Sequence, residues 1–322
     1  MRFTFILVAT LLLGSQLTAT AHAVEDDHDD DDHRVARIPA AKNVAVSICV
    51  SSGNIIIRGW DKSEVLVNSS GEGRIDFRRR DGTEKTAPAT TVDVLISDSE
   101  SDDPGGRGGC SSSGDVTLNV PRDARLTVRT VEGDVDVDDV GEAKVESASG
   151  TLSARRVANG VDLNTASGEV SVDDAGGRIH LRSISGGIVA HDLHPREAGD
   201  ALTVNSTSGD VRLSKIGLNN VEVRSISGGI YTSGPLARNA RYQMTTLNGD
   251  ITFVLPGTSS FHVEAKVFQG GDIVTDFPLK YTGSHQTSKI LSGGSIEGTV
   301  GSGESYLNLS SNSGTVRLRK KQ

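Results

Sequence analysis

LRSISGGIVA (181–190), VNSTSGDVRL (204–213) and VRSISGGIYT (223–232) are three copies of one pattern. Apolar or small residues alternate with polar ones, run into a glycine, and alternate again. Alternation with period two marks a strand with one buried face. Around Gly209, Val204, Ser206, Val211 and Leu213 fall on one side, and Asn205, Thr207, Asp210 and Arg212 on the other. The glycine between the two runs tolerates the backbone angles of a tight turn. Each copy therefore reads as strand, turn, strand.

The same pattern extends both ways. Upstream lie VRTVEGDVDV (128–137), VESASGTLSA (145–154) and LNTASGEVSV (163–172); downstream lie MTTLNGDITF (244–253) and LSSNSGTVRL (309–318). The glycines Gly133, Gly150, Gly168, Gly186, Gly209, Gly228 and Gly249 are spaced by 17, 18, 18, 23, 19 and 21 residues. Weaker copies are read at Gly271 and Gly294, and outlying ones in SSGNIII (51–57) and SSSGDVTL (111–118). Each regular copy closes on a third apolar position: Val140, Val157, Ala175, Leu193 and Ile216. A recurring period of this size signals repeat architecture. One copy cannot bury its apolar face alone, whereas stacked copies can. The expected fold is all-β, a parallel β-solenoid (β-helix-like) of repeats of 17–23 residues. An antiparallel sandwich also uses short alternating strands, but has no reason to place Ser-Gly at the same point in every copy.

The Ser or Thr three residues before each glycine (Thr130, Ser147, Thr165, Ser183, Ser206, Ser225, Thr246) has inward parity. A ladder of small hydroxyls there would satisfy backbone groups at a tight corner. A nucleophile would need a partner base, and none recurs beside them. Beyond residue 23, eight of ten aromatics lie from Tyr231 onward, so the C-terminal third is expected to be the better packed end. Ile48, Val50, Ile55, Ile57 and Trp60 read as an apolar first layer, and 78–89 and 97–109 as exposed loops.

The chain opens with Arg2, an apolar run Phe3–Gly14 and the ending Ala21-His22-Ala23, the three parts of a secretory signal peptide. The expected organisation is a signal peptide over 1–23, an acidic disordered leader over 24–37 and a solenoid over 38–322. Within the solenoid, 38–120 is read as irregular with long loops, 121–256 as regular repeats, and 257–322 as C-terminal repeats and cap. The expected location is periplasm, cell envelope or extracellular, without membrane insertion, since no later stretch reaches the roughly 20 apolar residues of a span. The net charge of −9 argues against nucleic acid, which selects a basic stripe. Cys49 and Cys110 match no zinc or redox motif, and in an oxidising compartment they form either a disulfide or two separate buried thiols.

With these motifs the chain resembles the putative-adhesin family of bacterial β-strand-repeat proteins of unknown function. The resemblance is carried by the repeated S-x-S-G turns, SSGNIIIRGWDKSEVLV (51–67), LNVPRDARLTVRTVEGDVDV (118–137) and GTVGSGESYLNLSSNSGTVRLRK (298–320), and covers roughly residues 40–320. It implies a parallel β-helix-like fold and an envelope or extracellular location. It transfers no catalytic residues.

Candidate sites are few. VEDDHDDDDHR (24–34) reads as a solvated leader, with His28 and His33 as candidate ligands for a divalent metal. The turn acids Asp115, Asp134, Glu169, Asp210 and Asp250 would repel one another as a metal ladder, and Gly187 and Gly229 interrupt the row. HDLHPREAGD (191–200) is a dense titratable insertion whose blander reading is a solvated loop. Arg129, Arg182 and Arg224 occupy equivalent outward places and form the candidate binding face. G-x-S-x-G, P-loop, H-E-x-x-H and C-x-x-C motifs are absent, and no cofactor is implied. The expected function is a non-catalytic exported scaffold or adhesin-like binder of an envelope polymer or protein. The alternative is a polysaccharide lyase or hydrolase on the same fold, which would need acids converging on one face.

Overall fold

The computed structural model describes residues 34–71, 73–82, 87–97, 110, 112–281 and 294–321. The signal segment, His28, His33 and the loop 98–109 lie outside them. The described residues are all-β, with 26 strands joined in one sheet. No helix among them is long and apolar enough to cross a membrane.

Each coil contributes an entering strand, the glycine turn and a leaving strand, as in Arg178–Ser185 and Ile188–His194. Entering strands pair in parallel with entering strands, in the register Leu163↔Leu181↔Val204↔Val223↔Met244. Leaving strands do the same, in the register Val172↔Ala190↔Leu213↔Thr232↔Phe253. The inward residues of the two faces meet in a core that runs along the stack. The third apolar positions Val140, Val157, Ala175, Leu193 and Ile216 are all buried. Each follows a residue in the left-handed region (Asp139, Arg156, Asp174, Asp192, Lys215; φ 49° to 61°), which bends the leaving strand and sends the next side chain inward.

The turn glycines stack so closely that no side chain fits between them. A Cβ on Gly168 would stand 2.0 Å from the carbonyl oxygen of Gly150, and one on Gly186 2.1 Å from that of Gly168. These contacts give the order of the coils, which is not the order of the chain. Eleven glycines run Gly114, Gly53, Gly133, Gly150, Gly168, Gly186, Gly209, Gly228, Gly249, Gly314, Gly271. At the N-terminal end the coil holding Ala89–Ser97 and Val116–Pro121 is outermost, and the coil over 45–60 lies inside it. At the other end the last coil, Ser305–Ser313 and Val316–Lys320, is inserted between 241–255 and 261–275. Both terminal coils are thus held between neighbours, which protects them from the fraying expected of chain ends.

Several sequence expectations change accordingly. The parallel solenoid holds for the stacked coils, but both ends are closed by antiparallel strands. Arg74–Arg79 covers Ala89–Ser97, and Glu64–Ser69 joins Val116–Pro121 to residues 34–39. Gly294–Val300 covers Phe261–Gln269. Covering strands blunt the edges that open stacks expose. Residues 34–37, read above as leader, begin the strand Arg34–Ser52. Ile48, Val50, Ile55 and Ile57 are buried but form the second layer, because the coil from 89 to 121 lies outside them. Gly294 opens an antiparallel strand and makes no turn.

The aromatic C-terminal end packs as edge-to-face pairs, Tyr242 with Phe253 (5.9 Å) and Phe261 with Phe277 (5.2 Å). The Tyr242 hydroxyl donates to the Ile216 carbonyl at 3.1 Å. Burial pushes this phenol up to about 12. In the unfolded chain it ionises near pH 10, so its contribution is complete below pH 10 and is lost as the pH rises toward 12. The expected alkaline loss from this group is about 2–3 kcal/mol, and urea midpoints at pH 9, 10 and 11 should fall less steeply in Tyr242→Phe.

Cys49 and Cys110 are joined in a disulfide, with Cα atoms 5.0 Å apart and a sequence separation of 61. The bridge fastens the outermost N-terminal coil to the one beneath it. Replacing both cysteines by Ser is expected to destabilise the protein by about 2–4 kcal/mol through a less constrained unfolded chain. Denaturation with and without reductant checks this: the wild type should fall to the variant's midpoint, and the variant should not move.

Candidate binding groove

The hydroxyl ladder faces inward, as its parity requires. Thr130, Thr165, Ser183, Ser206, Ser225 and Thr246 are buried, and Ser147 is half-buried. Each donates to a turn carbonyl: Ser183 to Gly168 at 3.2 Å, Ser206 to Gly209 at 3.1 Å, Thr246 to Gly228 at 3.3 Å. These hydroxyls complete the hydrogen bonding of the corner.

Four of the turn acids, Asp115, Asp134, Asp210 and Asp250, are clamps between coils. Asp134 accepts the N–H of Thr151 (2.7 Å), Asp210 that of Gly229 (3.0 Å) and Asp250 that of Thr315 (2.7 Å). Burial opposes ionisation of Asp250, but the Thr315 N–H and the Arg317 guanidinium outweigh it and hold the carboxyl below its ordinary value. In the insertion over 191–200, Asp200 accepts the N–H groups of Glu197 and Arg196, both at 2.8 Å. Those two bonds lower its pKa and close the loop on itself. No group of three or more His, Cys, Asp or Glu suited to a metal occurs among the described residues.

The outward face of the entering strands is different. Arg129, Glu146, Asn164, Arg182, Asn205 and Arg224 stand in one lateral row, and Thr245 and Ser310 continue it. The row puts Arg182 and Arg224 two coils apart. Arg129 is three coils from Arg182 and is paired with Glu146 at 3.2 Å, so the structure does not bring the three arginines together. Arg224 is paired with Glu222 on its own strand. The guanidinium of Arg182 makes no ion pair or hydrogen bond to any described residue.

A second row, just before the last ladder pair of each entering strand, carries large apolar residues at outward positions. Ladder pairing skips this position, as in Ser183↔Ser206 and Ser185↔Ser208, and the skipped side chain projects from the corner into solvent. Here stand Ile184, Ile226 and Leu247, with Phe268 the most exposed at 61%. Between the two rows runs a groove of about 800 Å³, bounded by His180, Arg182, Asn205 and Arg224 on the polar side and by Ile226, Leu247 and Phe268 on the apolar side. Among the described residues, no Asp or Glu lines it. A smaller hollow of about 430 Å³ beside the insertion also has His180 in its lining and is itself lined by Glu142, Asp162, Glu197 and Asp200. The apolar rim was not singled out from sequence. Its signal was present in the S-I-S-G, T-L-N-G and V-F-Q-G corners, where a large apolar residue sits at an outward position.

The family model described as Toastrack DUF4097 matches residues 47–319. The chain belongs to the Toastrack DUF4097 family. Solved structures similar to this Toastrack protein include a putative cell adhesion protein from Clostridium sporogenes ATCC 15579, at 10% identity and TM-score 0.25, covering 90% of this chain and 99% of that one. A putative adhesin from Parabacteroides distasonis ATCC 8503 is also 10% identical, with TM-score 0.36 and coverage of 90% and 98%. One from Parabacteroides merdae ATCC 43184 is 10% identical, with TM-score 0.32 and coverage of 90% and 96%. No curated protein matches the chain.

Proposed function

We propose that this Toastrack protein is an exported, non-catalytic binder that holds an extended polymer in the groove on its entering-strand face. The observation that carries the reading is the groove itself: exposed apolar side chains and an unpartnered arginine along a surface where the turn hydroxyls and acids are already bonded. Export is supported by the N-terminal signal pattern and by the Cys49–Cys110 disulfide, which suits an oxidising compartment. The non-catalytic reading is supported by a groove lining free of the paired carboxylates that glycan cleavage uses.

The test is size-exclusion chromatography of the purified protein with a panel of neutral and acidic envelope polysaccharides. A polymer is expected to co-elute at unchanged length. Phe268→Ala, which removes the most exposed ring of the rim, is expected to weaken binding about tenfold, as loss of roughly 1.5 kcal/mol of apolar contact implies. A shortened polymer, or undiminished binding by Phe268→Ala, would contradict the reading.

A further inference from the structure

Resting on that groove reading, we infer that the polymer is an acidic polysaccharide, with carboxylates seated on Arg182 and sugar rings against the rim of Ile226, Leu247 and Phe268.

The charge pattern is the first argument. The chain carries a net charge of −9, yet among the described residues the groove has two arginines, a histidine and no acid in its lining. Elsewhere on the surface many arginines are matched to carboxylates, as in Arg155 with Asp136, Arg212 with Asp210 and Arg319 with Asp276. Arg182 has no such match among the described residues. A guanidinium presents a planar fork of donors that fits a carboxylate. Arg182 and Arg224 stand two coils apart, roughly 10 Å, a span of about two sugar rings.

The main chain gives the second argument. An extended peptide gains affinity by adding a strand to an open sheet edge. The strands that floor this groove, Arg178–Ser185, Ala201–Ser208, Asn220–Ser227 and Arg241–Asn248, are paired on both sides, so no edge is offered. What remains for recognition is side chains. The amides of Asn205 and Asn312 and the hydroxyls of Thr245 and Ser310 suit a ligand rich in hydroxyl groups. The exposed apolar rim suits ring faces.

Isothermal titration of the purified protein with polygalacturonate, neutral dextran and polyglutamate tests the inference. Polygalacturonate alone is expected to bind, more weakly as salt is raised. Arg182 is exposed on its strand, so Arg182→Glu should fold and is expected to weaken binding at least tenfold. Arg129→Glu, outside the groove, should stay within about twofold of wild type if the effect is local and not of net charge. Equal binding of dextran would overturn the acidic-glycan inference while leaving the groove reading intact, provided Phe268→Ala still weakens it. Equal binding of polyglutamate would overturn the sugar part of the inference. An equal loss in Arg129→Glu and Arg182→Glu would overturn the assignment of the carboxylate site. Binding of none of the three, with no polymer retained on the column above, would overturn inference and groove reading together.

Discussion

Gly168→Ala is expected to destabilise the protein by about 3 kcal/mol or more, although it adds one methyl group. Two costs combine. Gly168 has φ +142°, a region that side-chain-bearing residues rarely adopt, and such strain costs roughly 1–3 kcal/mol. Its new Cβ would also stand 2.0 Å from the Gly150 carbonyl oxygen, which is backbone and cannot swing away. Relief requires one coil to lift from the next, which strains the ladders on both faces. Overpacking of this kind costs roughly 1–3 kcal/mol more. Gly257→Ala is the matched control, because nothing lies within 4 Å of its Cβ position and its φ is unexceptional. Urea unfolding followed by far-ultraviolet circular dichroism should show Gly257→Ala near wild type and Gly168→Ala far below it. A difference under about 1 kcal/mol would mean that the ladder yields more easily than its contacts imply.

The second large effect is expected from removing residues 305–322. In a solenoid built in chain order this would trim an outer coil and leave the rest standing. Here the deleted coil lies inside the stack, and Leu307, Leu309, Val316 and Leu318 are fully buried in it. Four such side chains represent roughly 6–12 kcal/mol of burial at about 1.5–3 kcal/mol each. The strand Phe261–Gln269 would lose its parallel partner, and Asp250 its bonds to Thr315 and Arg317. The truncated chain is expected to lose order from about residue 257 onward, to bind a hydrophobic dye and to be cleaved there by protease. A truncated chain that stays monomeric and melts with wild type would contradict the inserted position of the last coil.

The general fold was legible because one local rule, alternation into a turn glycine and out again, recurs along the stack. The inward hydroxyls at Ser183, Ser206 and Thr246 followed from parity alone. The coil order was not legible, since SSGNIII (51–57) and SSSGDVTL (111–118) carry the same turn signal and nothing local says which lies outside the other. The steric role of the glycines was equally hidden, because it depends on the carbonyl of the coil below. The corner residues Asp139, Arg156, Asp174, Asp192 and Lys215 share a backbone conformation but not one residue type, and charged residues occur throughout the outward positions, so they did not stand out. Of the predicted face, Arg182 and Arg224 do meet the groove, while Arg129 is removed by the intervening Glu146 and Asn164. The rim was missed because Phe268 belongs to a coil that chain order places beside Leu247, whereas Asn312 of the inserted last coil stands between them.

Hydroxyl-radical footprinting of the protein with its co-eluting polymer tests the central claim most directly, because it reads which exposed side chains the polymer covers. Ile226, Leu247 and Phe268 should lose reactivity on binding, while Val131 on the same row beyond the groove and Ile56 and Tyr231 on the leaving-strand face should keep theirs. Protection of Ile56 and Tyr231 with Phe268 still reactive would place binding on another surface and contradict the account.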